Sequence, residues 1–207
     1  MYSKAASSIP GMEDRYRFVI AGGPGSGKST TINELFKLGH PVVTEAARVV
    51  IEHQQRRHRR FGHPPIVPWT DLYEFQRLVC KRQRYKEERL SWARIAFCDR
   101  GLVDNHGYCR NGGIPTPEDV MLQIEMQKYH HVYMLDMLPL YERDGQRWES
   151  PAEAHRLHDA MEWAYRETGH TYTKVPVMPP RERAVFIAEH ALGLVQPTVS
   201  GVFIGKL

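Results

Sequence analysis

Four glycines, a lysine and two serine hydroxyls share the stretch Gly22-Gly23-Pro24-Gly25-Ser26-Gly27-Lys28-Ser29, which satisfies G-x-x-x-x-G-K-[S/T] at every fixed position. The chemistry served by this spacing is the grip of a polyphosphate. Glycines let the chain bend so that successive backbone N–H groups converge on phosphate oxygens with no side chain in the way. Lys28 is placed to reach the β- and γ-phosphates and the Ser29 hydroxyl to hold Mg²⁺, with Thr30 next in line to complete the cradle. Phe18-Val19-Ile20-Ala21 reads as a short buried strand before the loop, and the segment after it as a helix whose N-terminus faces the anion.

Further charged groups are sorted by their position relative to predicted strands. Pro41 to Thr44, Ile95 to Cys98 and His131 to Leu135 read as strands, so Lys28, Glu45, Asp99, Arg100 and Asp136 each follow close on a strand end. In a parallel sheet, ligands bind beyond the carboxyl ends of the strands, which gathers these residues at one rim. Asp99 is the preferred acid: it can orient a metal or accept a hydroxyl proton while Arg100 holds an anion. Glu45 can serve as proton acceptor or metal ligand, or else as a charge at a helix N-terminus. Asp136 is either a second rim acid or a turn residue ahead of Pro139. Between the fourth strand and the next helix, Arg143 and Arg147 flank Gly145; a cationic lid closing over a transferred phosphoryl group and a plain surface loop are the two readings.

The elements that must position these groups follow from pattern. Ile32, Leu35 and Phe36 give helical spacing, ended by Gly39; Ala46 to Ile51 look helical; and Thr70 is placed to cap a long helix with Leu72, Phe75, Leu78 and Val79 as its stripe. Thr116-Pro117, with Asp119, marks another helix start. Ser150-Pro151-Ala152-Glu153 is a capping box, followed by Ala154, Leu157, Met161 and Tyr165 as a buried face. Tyr172 to Met178 reads as a fifth strand interrupted by Pro176, and Pro180 to Leu192 as a last helix. Short apolar strands alternating with helices predict an α/β/α sandwich around a mainly parallel, five-stranded sheet. The expected organisation is a loose tail over 1–14, one domain over 15–192 and an apolar tail over 193–207.

Composition bounds the function. The chain has 207 residues, 42% hydrophobic and 25% charged, with 28 Lys+Arg against 24 Asp+Glu for a formal charge of +4, which suits anionic small molecules as well as nucleic acid. The basic run Arg56-Arg57-His58-Arg59-Arg60 lacks interleaved aromatics, which argues against nucleic acid; a solvated helix end and a polyanion contact are its two readings. Cys80, Cys98 and Cys109 form no C-x-x-C pair, and no run of eighteen apolar residues occurs. A cytoplasmic protein without a membrane span is expected, and pairing into a homodimer is left open.

The phosphate loop, together with Thr44-Glu45-Ala46-Ala47-Arg48, Tyr73-Glu74-Phe75-Gln76, Phe97-Cys98-Asp99-Arg100-Gly101-Leu102-Val103-Asp104 and Asp144-Gly145-Gln146-Arg147, resembles a family of small AAA-type predicted ATPases that includes the ribosylnicotinamide kinase domain of the bacterial NAD regulator. The resemblance runs from about residue 16 to residue 190 and implies the P-loop NTPase fold of nucleoside and nucleotide kinases. It implies Mg-ATP on residues 22 to 30 and an acceptor against Glu45, Gln76, Arg100 and Asp104. Asp99-Arg100 is similar to the acid-arginine pair of thymidylate and deoxynucleoside kinases. No Asn-Lys-x-Asp segment is present, so ATP is expected over GTP. Two functions follow: a kinase for a small hydroxyl-bearing, nucleoside-like acceptor, or a slow NTPase switch that binds a protein or an anionic lipid surface.

Overall fold

The computed structural model describes residues 15–139 and 150–195. Five strands, β1 (Tyr16–Ala21), β2 (Val42–Val43), β3 (Ile95–Asp99), β4 (His131–Leu135) and β5 (Tyr172–Val175), form one sheet in the order β2-β3-β1-β4-β5, with every pairing parallel. Seven helices are described: α1 (Lys28–Lys37), α2 (Ala46–Phe61), α3 (Leu72–Arg89), α4 (Val103–Asn111), α5 (Glu118–Met126), α6 (Pro151–Glu167) and α7 (Pro180–Val195). Phe18, Val19, Ile20 and Ala21 are fully buried, because helices cover both faces and a central strand must be apolar on each. Phe18 and Ile20 point into a core with Ile32 and Leu35 of α1 and Ile187 of α7. Val19 and Ala21 point the other way, toward Leu102, Val120, Leu157 and Met161 of the α4, α5 and α6 side.

This is the expected three-layer architecture, with local differences. The Ser150 and Glu153 capping box forms, the Ser150 N–H donating to Glu153 at 2.7 Å and the Glu153 N–H to Ser150 at 3.3 Å. Thr70, however, does not cap α3. Its hydroxyl donates to the Pro65 carbonyl at 2.7 Å, and Asp71 takes the cap by accepting from the Glu74 N–H. Likewise Thr116 bonds His106 and Asp119 pairs with Arg77, so α5 starts at Glu118 without a side-chain cap. At Thr70 a local turn, bonded also to the Val67 carbonyl, takes the hydroxyl and leaves the cap to its neighbour; at α5 the partners come from other helices. Strand β5 stops at Val175, since Pro176 cannot donate to a ladder. Helix α2 runs through the whole basic run, whose side chains are exposed, and α7 extends past Leu192 to Val195.

Candidate functional site

The register places the site. Ile20 lies opposite Asp99 and Val43 opposite Cys98, so the phosphate loop after β1, Glu45 after β2 and Arg100 after β3 emerge side by side at the carboxyl edge. Gly22, Gly25 and Gly27 all hold positive φ. Within the loop, Lys28 is 6% exposed and donates to the Gly23 carbonyl at 2.7 Å and to the Ser26 hydroxyl at 3.3 Å. Burial, with Arg100 nearby, lowers its pKa to about 7 against the opposing pull of Asp99, Glu45 and Asp104. A polyphosphate placed against this lysine would add negative charge and favour its ammonium form.

Two groups absent from the sequence reading brace the loop from behind. Arg183 of α7, fully buried, donates to the Ser26 carbonyl at 2.7 Å and twice to the Pro176 carbonyl, at 3.1 and 2.8 Å. Its one sequence signal is its spacing, four residues before buried Ile187 and hence on the same helical face. His158 of α6 accepts the Gly23 N–H at 3.1 Å, and burial holds its pKa below the ordinary value. Arg143 and Arg147 lie outside the described residues.

Beside the loop, the Ser29 hydroxyl donates to Asp99 Oδ2 at 3.2 Å, while Asp99 Oδ1 is buried with no hydrogen-bond partner among the described residues. An unpartnered carboxylate oxygen next to a hydroxyl is a hard-oxygen set that fits Mg²⁺, which keeps several of its waters. Burial, and then Glu45, raise the Asp99 pKa. Burial also pushes Glu45 up, but Arg100 and Lys28 outweigh it and hold this carboxyl below its usual range. Among the described residues there is no group of three or more His, Cys, Asp or Glu able to hold a metal ion.

Arg100 carries the left-handed backbone angle φ 73°, rare outside glycine and costing about 1 kcal/mol or more. Its Nε donates to Glu45 Oε1 at 3.1 Å, and its Nη1 lies 3.4 Å from Asp104 Oδ1. Asp104 was expected to face an acceptor, but it is only 4% exposed at its side chain. Its second oxygen accepts from the Gly101 N–H at 2.9 Å and from the Tyr165 hydroxyl, so it lies beneath Arg100. Gly101 itself has no room for a side chain, since a Cβ would sit 2.8 Å from the Tyr129 ring and 2.9 Å from the Tyr165 hydroxyl. Gln76 is 2% exposed, and its side chain makes no hydrogen bond among the described residues, two turns before Gln83 along α3. The Asp136 N–H continues the sheet ladder to the Val175 carbonyl at 3.0 Å. The structure therefore brings Lys28, Ser29, Glu45, Asp99, Arg100 and Asp104 together.

The family model for the AAA domain matches residues 17–183 of this chain. The chain belongs to the AAA-domain family. In fold, this AAA domain is similar to deoxyadenosine kinase from M. mycoides, with TM-score 0.58 and 12% identity, over 86% of this chain and 99% of the kinase. It is also similar to thymidylate kinase from Ehrlichia chaffeensis, with TM-score 0.55 and 13% identity, over 85% and 98% of the two chains. The AAA domain thus has a nucleoside-kinase-like P-loop fold. No curated protein matches its sequence. Among the described residues, no helix is long and apolar enough to cross a membrane.

Proposed function

We propose that this AAA domain is a Mg-ATP-dependent kinase that transfers the γ-phosphoryl group to a hydroxyl of a small, nucleoside-like acceptor. The observation that carries this reading is the Glu45–Arg100 ion pair, held at 3.1 Å on the same sheet edge as the Lys28 loop. A phosphate cradle alone serves any nucleotide-binding protein; a carboxylate and a guanidinium fixed beside it serve transfer to a second molecule. Residues 22 to 30 bind the triphosphate through backbone N–H groups and the Lys28 ammonium. Ser29 and Asp99 hold the magnesium ion, which neutralises charge on the phosphates when bound.

Glu45 is the proton acceptor in this reading. Its depressed pKa keeps it ionised at neutral pH, and its second oxygen has no partner among the described residues. Arg100 then holds the acceptor or the transferred phosphoryl group, Gln76 offers an unpartnered amide to the acceptor, and Asp104 steadies Arg100 from below.

Calorimetry with ATP is the first test. Lys28→Ala should weaken binding by about 100-fold, the order expected when charge-assisted contacts are lost, whereas Asp99→Asn should retain binding and stop turnover. Unchanged affinity in Lys28→Ala removes the nucleotide site. A panel of nucleosides and related vitamins, screened for acceptor-stimulated ADP release, then tests transfer. A flat response rules against the kinase and in favour of a slow NTPase switch, for which the exposed arginines of α2 would be the contact with an anionic partner.

A further inference from the structure

A buried polar bridge on the far side of Arg100 has no part in the phosphate chemistry. Gln83 of α3 is 3% exposed, and its Nε2 donates both to the Arg100 carbonyl at 3.1 Å and to Glu87 Oε1 at 2.7 Å. That same Glu87 oxygen accepts from the Tyr129 hydroxyl at 2.9 Å, and Tyr129 in turn accepts the Leu102 N–H at 2.8 Å. Between these two points the Gly101 N–H is taken by Asp104. Three successive residues, Arg100, Gly101 and Leu102, therefore each have a backbone polar group bonded by a side chain, and the outer two bonds meet on one Glu87 oxygen.

The location matters more than the count. A non-glycine residue keeps a left-handed φ only where its surroundings over-determine it. At Arg100 the N–H is held by the Ile20 carbonyl at 3.2 Å, and the carbonyl is held by Gln83. These two bonds orient the peptides on either side of the Arg100 Cα, and so set the direction in which its guanidinium leaves the backbone. Helix α3 could bury these positions with leucines at far lower desolvation cost; a carboxylate at 7% exposure requires a reason to be there.

We propose that Gln83 and Glu87 are positioning residues: their bridge to Tyr129 imposes the left-handed turn that aims Arg100 at Glu45. The inference rests on the role given to Arg100 above, but its test does not require turnover. In the full chain, the Arg100 Nε–H signal, assigned by its loss in Arg100→Lys, and the Arg100 Cα shift report the ion pair and φ. Gln83→Leu and Glu87→Leu should speed Arg100 Nε–H exchange by about tenfold or more and move the Cα shift, while the amides of Gly25 and Gly27 stay within about twofold. Glu87→Gln keeps an acceptor oxygen for both donors and should match the wild type. Where Gln83→Leu does not fold, Gln83→Met keeps the side-chain length and is read in the same way.

Arg100 signals that match the wild type in the leucine variants overturn the proposal. Equal loosening of the phosphate-loop amides also overturns it, because that marks a general loss of structure. None of these readings requires an acceptor, so the outcome is separate from that of the kinase assignment. Once an acceptor is found, Gln83→Leu should lower kcat with the KM for ATP unchanged; a change in KM for ATP alone is the contrary result.

Discussion

The two sides of the sheet are closed by different means. Between the sheet and α1 and α7 lies an aliphatic and aromatic layer, Phe18, Ile20, Ile32, Leu35 and Ile187 among them, whose conspicuous polar member is Arg183 at the phosphate loop. On the other side, the helices bury Gln76, Gln83, Glu87, Asp104 and Asn105 among their apolar contacts. Buried polar groups cost free energy unless they are bonded, and most of these are bonded to the turn that carries Arg100. Both sides bury an apolar cluster, but the second gives up part of its stability to hold a charged corner in place.

Substitutions can break that contrast. The largest effect is expected on the apolar side: Ile187→Ala, at a site with no exposure, should destabilise the fold by about 3 kcal/mol in urea denaturation, with ATP affinity of the folded protein unchanged. A parallel loss of affinity would show that the apolar layer also shapes the site. On the polar side, Gly101→Ala should cost about 2 kcal/mol, since the new methyl drives into the Tyr129 ring and the Tyr165 hydroxyl. Tyr165→Phe should cost about 1 kcal/mol by removing one donor to Asp104, and should loosen Arg100 as well. A stability loss with Arg100 undisturbed would place Tyr165 with the ordinary core.

The last effect is a proton taken up on binding. Unfolded Lys28 keeps its charge up to its ordinary value of 10.5, whereas in the folded chain it loses it near 7. Between those values the unfolded chain holds more protons, so this group's contribution to stability rises with pH across that window. A bound polyphosphate restores the ammonium, so ATP binding at pH 8 should take up close to one proton, about 0.9 for a pKa near 7. Calorimetry in buffers of different ionisation enthalpy reads that number. No uptake would mean that Lys28 is already charged in the free protein.

How much was legible can be traced residue by residue. The phosphate loop was legible because its glycines, lysine and hydroxyl are contiguous and the strand and helix that frame it are immediate neighbours. Glu45, Asp99 and Arg100 could be found because strand ends in a parallel sheet converge. Helix α4 was missed: Val103 to Asn111 has no apolar stripe and carries Gly107 mid-helix. That glycine is explained only by its neighbour, as a Cβ there would lie 2.8 Å from the Met161 sulfur of α6. The cap at Thr70 moved by one residue because its hydroxyl is spent on the preceding turn, at Pro65 and Val67, whereas Thr116 and Asp119 are taken by His106 and Arg77 of other helices.

The linear order of residues by itself determined where the glycine-rich loop lies and which charges stand at the rim, because both depend on local backbone geometry and on the period of the strands. Only the tertiary structure decided that Asp104 supports Arg100 from beneath, that Arg183 braces the loop from the last helix, and that Gln83 and Glu87 fix the turn between them. Those relations join groups from separate elements through single hydrogen bonds, and a hydrogen bond depends on distances of a few tenths of an ångström that no spacing along the chain encodes.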